Sequence, residues 1–323
     1  MAGKDLKDLI AAYGRRDDLM FRRAAQALIS EEEAKRHTTL ARELTRLLAS
    51  SSSVTMFDGP EIIEPPVDRD SNTPLATVRL PERRFEALVL NESVTSAFQN
   101  YVEEVRYWPQ LDSLGLPRRN RMLLYGPPGC GKTSAVEALA ASLNRPLVTA
   151  RVDALVSSYL GETASNLRKL FEYADSDAFV VFLDEFDSLG KLRDDAADHG
   201  ELRRVVNAVL QMIDAYSGPS IIVAATNHPE ILDTALWRRF DLVQELPLPT
   251  QEEILRVLIH VLHGRVSLEW LHEMAGGLVG LPHAAAEFAA HAALRRAVMA
   301  GLREVDGQIL QSAIAETTAR RWA

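Results

Sequence analysis

The run Gly126-Pro127-Pro128-Gly129-Cys130-Gly131-Lys132-Thr133, followed by Ser134, has the composition and spacing of a phosphate-binding loop, G-x-x-x-x-G-K-[ST]. Its glycines let backbone N–H groups converge on phosphate oxygens, and the helix that follows adds its own unpaired N–H groups. Lys132 can reach the terminal phosphates, and the Thr133 hydroxyl can ligate a magnesium ion. Downstream, the apolar run Phe179–Leu183 delivers Asp184 and Glu185. Asp184 suits a magnesium ligand and Glu185 a base that polarises a water attacking the γ-phosphate. A second apolar run, Ile221–Ala225, ends in Thr226 and Asn227, whose neutral amide could orient that water or serve only as a turn residue before Pro229. The pair Arg238-Arg239 has three readings: a solvated face, partners of Asp241, or cations stabilising a transferring phosphoryl group.

Chemistry of this kind needs a sheet that brings loop and carboxylates to one edge. Candidate strands are Met122–Tyr125, Leu147–Arg151, Phe179–Leu183, Ile221–Ala225 and Leu242–Leu246, alternating with helical segments. That alternation predicts a parallel sheet with crossovers, whose ligands bind at the carboxyl ends of the strands. Beyond Thr250 the pattern is helical, with Ile254, Val257, Leu258 and Val261 on one face. Residues 1–50 read as amphipathic helices, either a small bundle or a recruitment module, with a capping-box start from Ser30 to Glu33. Residues 51–75, rich in serine and proline, read as a linker or extended arm. The expected organisation is therefore a helical module at 1–50, a linker at 51–75, a nucleotide-binding domain at 76–249 and a helical domain at 250–323.

Composition narrows the class. Asp and Glu total 45 against 36 Lys and Arg, a net charge of −9 that disfavours a broad nucleic-acid surface. No apolar run approaches the ~20 residues that cross a bilayer, and the N-terminus lacks the apolar core of a signal peptide. Cys130 is the only cysteine, so no disulfide forms within the chain and a reducing cytoplasm is the expected setting. In its loop position Cys130 reads as a small tolerated side chain.

Together these motifs resemble the AAA subgroup of AAA+ ATPases over about residues 85–323. Gly126–Thr133 matches the family's Walker A, Asp184-Glu185 its Walker B, Asn227 its sensor 1, and 232–241 its second region of homology. The resemblance implies ATP and magnesium as cofactors, with Thr133 and Asp184 as the metal ligands. It also implies an αβα fold with a five-stranded parallel sheet of order 5-1-4-3-2, a C-terminal helical lid and a ring, usually hexameric. The adjacent arginines are similar to the katanin, spastin and Vps-four branch, which assigns Arg238 and Arg239 as fingers reaching a neighbour's site; in type the chain looks bacterial. Gly280 falls near the family's adenine site, while Pro282 replaces the acid usual two residues later. Asp214-Ala215-Tyr216 is a weak match to the family's intersubunit signal. Tyr159-Leu160-Gly161 resembles the first pore loop, whose aromatic tip would grip an extended chain. Lys191–Gly200 resembles the second or is a plain surface loop, and His199 within it reads as solvated.

The expected function is an ATP-driven ring that unfolds, threads or remodels proteins, feeding a separate partner such as a peptidase. Residues 1–50 would dock a substrate or partner. A nucleotide-controlled assembly factor that threads nothing is the alternative; a nucleic-acid motor or loader ranks third. The segment His272-Glu273 lacks the second histidine of a zinc protease, and no peptidase signature accompanies it.

Overall fold

The computed structural model describes residues 64–155, 160–186, 209–232 and 234–322. The expected N-terminal helices, the pore-loop residue Tyr159 and the segment 191–200 with His199 lie outside the described residues. Residues 64–323 form one compact unit.

Six strands make one sheet: β1 (Ala76–Arg79), β2 (Arg121–Tyr125), β3 (Leu147–Ala150), β4 (Val180–Leu183), β5 (Ile221–Thr226) and β6 (Leu242–Glu245). Their order is β1-β3-β4-β5-β2-β6. Strands β2 to β6 are parallel, and counted among themselves they run 5-1-4-3-2 as expected. The five-stranded expectation needs one correction, because β1 adds a sixth strand, antiparallel to β3 with Ala76 opposite Ala150. Nothing in four residues after a proline-rich stretch marks a strand; β1 exists because β3 offers it an unpaired edge.

The helices are α1 (Glu92–Arg106), α2 (Trp108–Ser113), α3 (Lys132–Leu143), α4 (Val152–Leu155), α5 (Leu160–Ser176) and α6 (Thr234–Trp237). Four more follow the sheet: α7 (Gln251–Leu262), α8 (Leu268–Gly277), α9 (His283–Met299) and α10 (Gly307–Thr318). The central strands are apolar on both faces, as a sheet covered on both sides requires. Leu123, Val181, Ile222 and Ala224 face a core shared with Leu167, Leu170 and Tyr173 of α5 and with Leu210 and Ile213. Met122, Leu124, Phe182 and Val223 face the opposite core, with Phe98 and Tyr101 of α1 and Val136 and Leu139 of α3. Each fully buried Leu, Val or Phe contributes roughly 1.5–3 kcal/mol, so this sandwich supplies a rigid platform for its upper edge.

Helices α7 to α10 form a third core, with Ile254, Leu258, Met274 and Leu310 at its centre. α7 begins at a capping box: Glu253 N–H donates to Thr250 Oγ1 (3.3 Å) and Thr250 N–H to Glu253 Oε2 (2.8 Å). α9 is alanine-rich on its buried side (Ala286, Ala289, Ala290, Ala293), which allows α7 and α10 to approach closely.

Within the span expected as a linker, residues 64–75 pack on this unit. Val67 bridges Pro74, Leu75 is fully buried, and Asp68 accepts from Ser71 N–H (2.8 Å) and from the Asn166 amide of α5 (2.7 Å). The Ser71 N–H first, and then Asn166, hold the Asp68 carboxyl well below the usual carboxylate range.

Candidate active site

The loop between β2 and α3 owes its shape to glycine. Gly126, Gly129 and Gly131 all have positive φ, a region in which side chains are strained. At Gly126 the constraint is absolute in another way: an added Cβ would lie 2.2 Å from the Leu246 carbonyl oxygen at the end of β6. Strand pairing between β2 and β6 thus requires glycine at the first position of the loop. Lys132 opens α3 and is buried; its ammonium donates to the carbonyls of Gly126 (2.7 Å) and Pro127 (2.9 Å), under the arch of the loop.

Beside it, at the end of β4, Asp184 joins two parts of the site. Its Oδ2 accepts from the Thr133 hydroxyl (3.2 Å) and its Oδ1 from the Glu185 N–H (2.9 Å). Glu185 is one of few non-glycine residues at positive φ (50°), which costs about 1 kcal/mol. The turn is held on one side by Asp184 and on the other by Phe186, buried edge-to-face against Phe240. Such strain sits where a carboxylate must be aimed.

Pro128, Gly129, Gly131, Lys132, Thr133, Ser134, Asp184, Glu185 and Asn227 line one cleft of about 320 Å³. Its far wall comes from α9: His283, Ala284 and Glu287. Ala284 N–H donates to the Gly129 carbonyl (3.1 Å), and a Cβ on Gly129 would lie 3.0 Å from that of Ala284. The loop therefore caps α9, whose own N-cap, Pro282, offers no side-chain acceptor. Thr133 and Asp184 supply one hydroxyl and one carboxylate, the sparse oxygen set suited to magnesium held jointly with phosphates. Among the described residues no cluster of three or more His, Cys, Asp or Glu side chains forms a metal cage.

The arginines lie elsewhere. Of the three readings open from sequence, pairing with Asp241 belongs to another residue: Arg121 donates to Asp241 through Nε (2.9 Å) and Nη2 (2.6 Å). Arg239 is ion-paired with Asp214, and Arg238 is exposed at the end of α6. Neither lines the cleft. Tyr216, in the weak signal match, is a core residue whose hydroxyl donates to the Ala174 carbonyl (2.8 Å). α5 begins at Leu160, so Leu160 and Gly161 occupy its first turn.

A second cavity of about 330 Å³ adjoins the cleft, shares Gly131 and Ser134 with it, and is lined also by Leu88, Leu90, Val257 and Val261. Cys130 faces it, and burial pushes its thiol pKa up. Gly280, expected near the adenine, makes a left-handed turn (φ 87°) before α9 and lines neither cavity; His283 and Glu287 line both. Sequence reasoning missed these two, although His283 directly follows the departure at Pro282. A larger cavity of about 680 Å³ opens where the parallel strands begin; its Arg118 and Arg121 are already paired with Asp112 and Asp241.

Known proteins similar to this chain identify its family. Residues 122–248 match the model of the ATPase family associated with various cellular activities (AAA). An uncharacterized AAA family ATPase, y4kL of Sinorhizobium fredii, is 41% identical over 257 residues, covering 79% of this chain and 77% of the relative. The chain belongs to the AAA family of ATPases. This AAA ATPase is also 40% identical over 185 residues to a proteasome-activating nucleotidase of Thermococcus onnurineus, spanning 53% of the chain but 46% of that relative. To an ATP-dependent zinc metalloprotease FtsH of Helicobacter felis it is 33% identical over 224 residues, 65% of the chain and 35% of the relative. The chain thus spans half or less of the length of these two. In fold it is similar to the AAA domain of FIGL-1, with a TM-score of 0.61 at 23% identity over 74% of this chain and 85% of that one. It binds and hydrolyses ATP, and no helix among the described residues is long and apolar enough to cross a membrane.

Proposed function

We propose that this AAA ATPase assembles into a ring, a hexamer, in which each cleft is completed by arginines of the neighbouring subunit, and that the ring remodels protein substrates. The observation carrying this reading is the cation inventory of the cleft. Among the described residues its lining contains Lys132 but no arginine, while Arg238 is exposed and Arg239 is paired outside it. As the γ-phosphoryl passes from ADP to water, negative charge on its oxygens and on the departing ADP is stabilised by cations beyond a single lysine, the part that arginines of a neighbour would take. The likeness to a proteasome-activating nucleotidase and to FtsH, each named for work on proteins, supports the choice of substrate.

In the proposed cycle the loop N–H groups and Lys132 hold the phosphates. Thr133 and Asp184 would hold a magnesium ion, which would supply charge neutralisation for the phosphates. Glu185 takes a proton from the attacking water, and Asn227 orients that water without adding charge. Because Ala284 N–H is bonded to Gly129, a change at the loop reaches α9 directly. Tyr159 would grip the substrate in the channel. Residues 1–50 would select it, joined through 51–75 to a nucleotide-binding domain at 76–249 and a lid at 250–323, with a separate peptidase as one recipient.

Two measurements test this. With Glu185→Gln and ATP, native mass should move from monomer to hexamer; persistent monomers would sink the ring. Mixing Lys132→Ala subunits with Arg238→Ala/Arg239→Ala subunits should restore part of the turnover that neither has alone, because in one of the two orientations of a mixed interface an intact Lys132 meets intact arginines. Tyr159→Ala should lose substrate processing while retaining ATPase; unchanged processing would favour a nucleotide switch.

A further inference from the structure

The arginine pair that the proposed ring needs sits on a segment too short to direct itself. α6 is a single turn, Thr234–Trp237, and a helix of that length is not stable by its own hydrogen bonds. Arg238 and Arg239 follow it directly, and Phe240 and Asp241 lead on into β6. Outside contacts must therefore set where the pair points. On the C-terminal side Arg239 pairs with Asp214, Phe240 is buried edge-on to Phe186 (centroids 6.2 Å apart, 87°), and Asp241 takes Arg121. On the N-terminal side the anchor is Trp237. Its ring meets Tyr125 edge to face (5.0 Å, 77°), and its indole N–H donates to the Leu232 carbonyl (3.3 Å). It also packs against the core that contains Phe186 and Phe240.

Tyr125 is no neutral support. It is the last residue of β2 and directly precedes Gly126, so the ring that seats Trp237 stands at the start of the chain's own phosphate loop. Its hydroxyl donates to Glu245 of β6 (3.3 Å), which ties the phenol to the sheet. An edge-to-face pair has a preferred angle as well as a preferred distance, so it orients what it joins. An aliphatic side chain could fill the same volume on the core, but that contact requires a ring. Arg238, exposed and next in the chain, takes its backbone direction from Trp237.

We propose that Trp237 is a positioning residue for hydrolysis in the neighbouring subunit: seated on Tyr125, it aims Arg238 at that subunit's γ-phosphate. The proposal rests on the reading of Arg238 and Arg239 as a neighbour's cations. A misaimed cation slows the chemical step and leaves nucleotide binding alone, because ATP is held by another subunit's loop. Subunit mixing in the full chain tests it. The reference is the mixture of Lys132→Ala donors, which lend arginines, with Arg238→Ala/Arg239→Ala acceptors, which lend the intact loop. Adding Trp237→Leu to the donors should lower kcat about tenfold, with KM for ATP within twofold. Adding it to the acceptors should leave kcat within twofold of the reference. A loss of equal size in the acceptors overturns the proposal, because it places the effect on Trp237's own loop or on the fold. So does a donor kcat within twofold of the reference. Trp237→Phe in the donors, which keeps a ring for Tyr125 to meet, should recover most of the rate; a result no better than Trp237→Leu also overturns it. Should Trp237→Leu not fold, Tyr125→Leu decides, placed in the donors whose own site Lys132→Ala has already disabled. It should give the same tenfold loss, and an unchanged rate there overturns the proposal. If the reference mixture itself shows no turnover, the arginine reading fails and the proposal falls with it.

Discussion

The two cavities that meet at the phosphate loop are built on opposite plans. The phosphate half is lined mostly by one contiguous loop, from Pro128 to Ser134, and by the ends of two neighbouring strands, with one wall from α9. The half that borders it gathers Leu88 and Leu90, Val257 and Val261, and His283 and Glu287, segments far apart in the chain. Where backbone does the binding, conformation dictates residue type: positive φ and a 2.2 Å approach leave Gly126 no substitute. Where side chains make an apolar wall, several residues serve equally well. One half can be spelled in a motif, and the other exists only after folding.

Substitutions should separate the halves cleanly. The largest effect is expected within the phosphate half. Glu185→Gln should lower turnover about a thousandfold with ATP binding intact, measured by phosphate release and equilibrium binding. Gly126→Ala should follow, costing about 3 kcal/mol by forcing the loop off β6, seen as a lower melting temperature together with lost binding of ATP and tripolyphosphate alike. A Gly126→Ala protein of wild-type stability would undo the contrast.

The smallest effect lies outside the cleft, at Asp68, and serves as a control that should touch neither half. Its depressed pKa means that its contribution to stability is present above the unfolded value of about 3.9 and is lost as pH falls towards the folded one. The melting gap between wild type and Asp68→Ala should therefore be open at pH 7 and narrow by about pH 3. A gap independent of pH would mean that the carboxylate charge contributes nothing.

Legibility from sequence follows the same division. The five parallel strands were readable from apolar runs alternating with helices, whereas their order was implied only by the family resemblance. Asp184 and Glu185 were readable because a strand end delivers them to the ligand edge. The partner of Asp241 was not, since Arg121 becomes its neighbour only when β2 and β6 pair. Strand β1 was missed for a related reason: its four residues carry no periodicity of their own. His283 was visible as a residue, but its place on the cleft wall is a property of packing.

Strand β1 has one further consequence, for solubility. Without it, β3 would present a row of bare amides and carbonyls, a template on which a second copy could extend the sheet. The proposed ring would hold several copies at high local concentration, where such templating is most dangerous. By running antiparallel along β3, with Arg79 paired to Glu137 at its end, the strand closes that edge with the chain's own backbone. A fragment beginning after Arg79 would keep the whole phosphate loop, yet it would bare the β3 edge and be expected to precipitate.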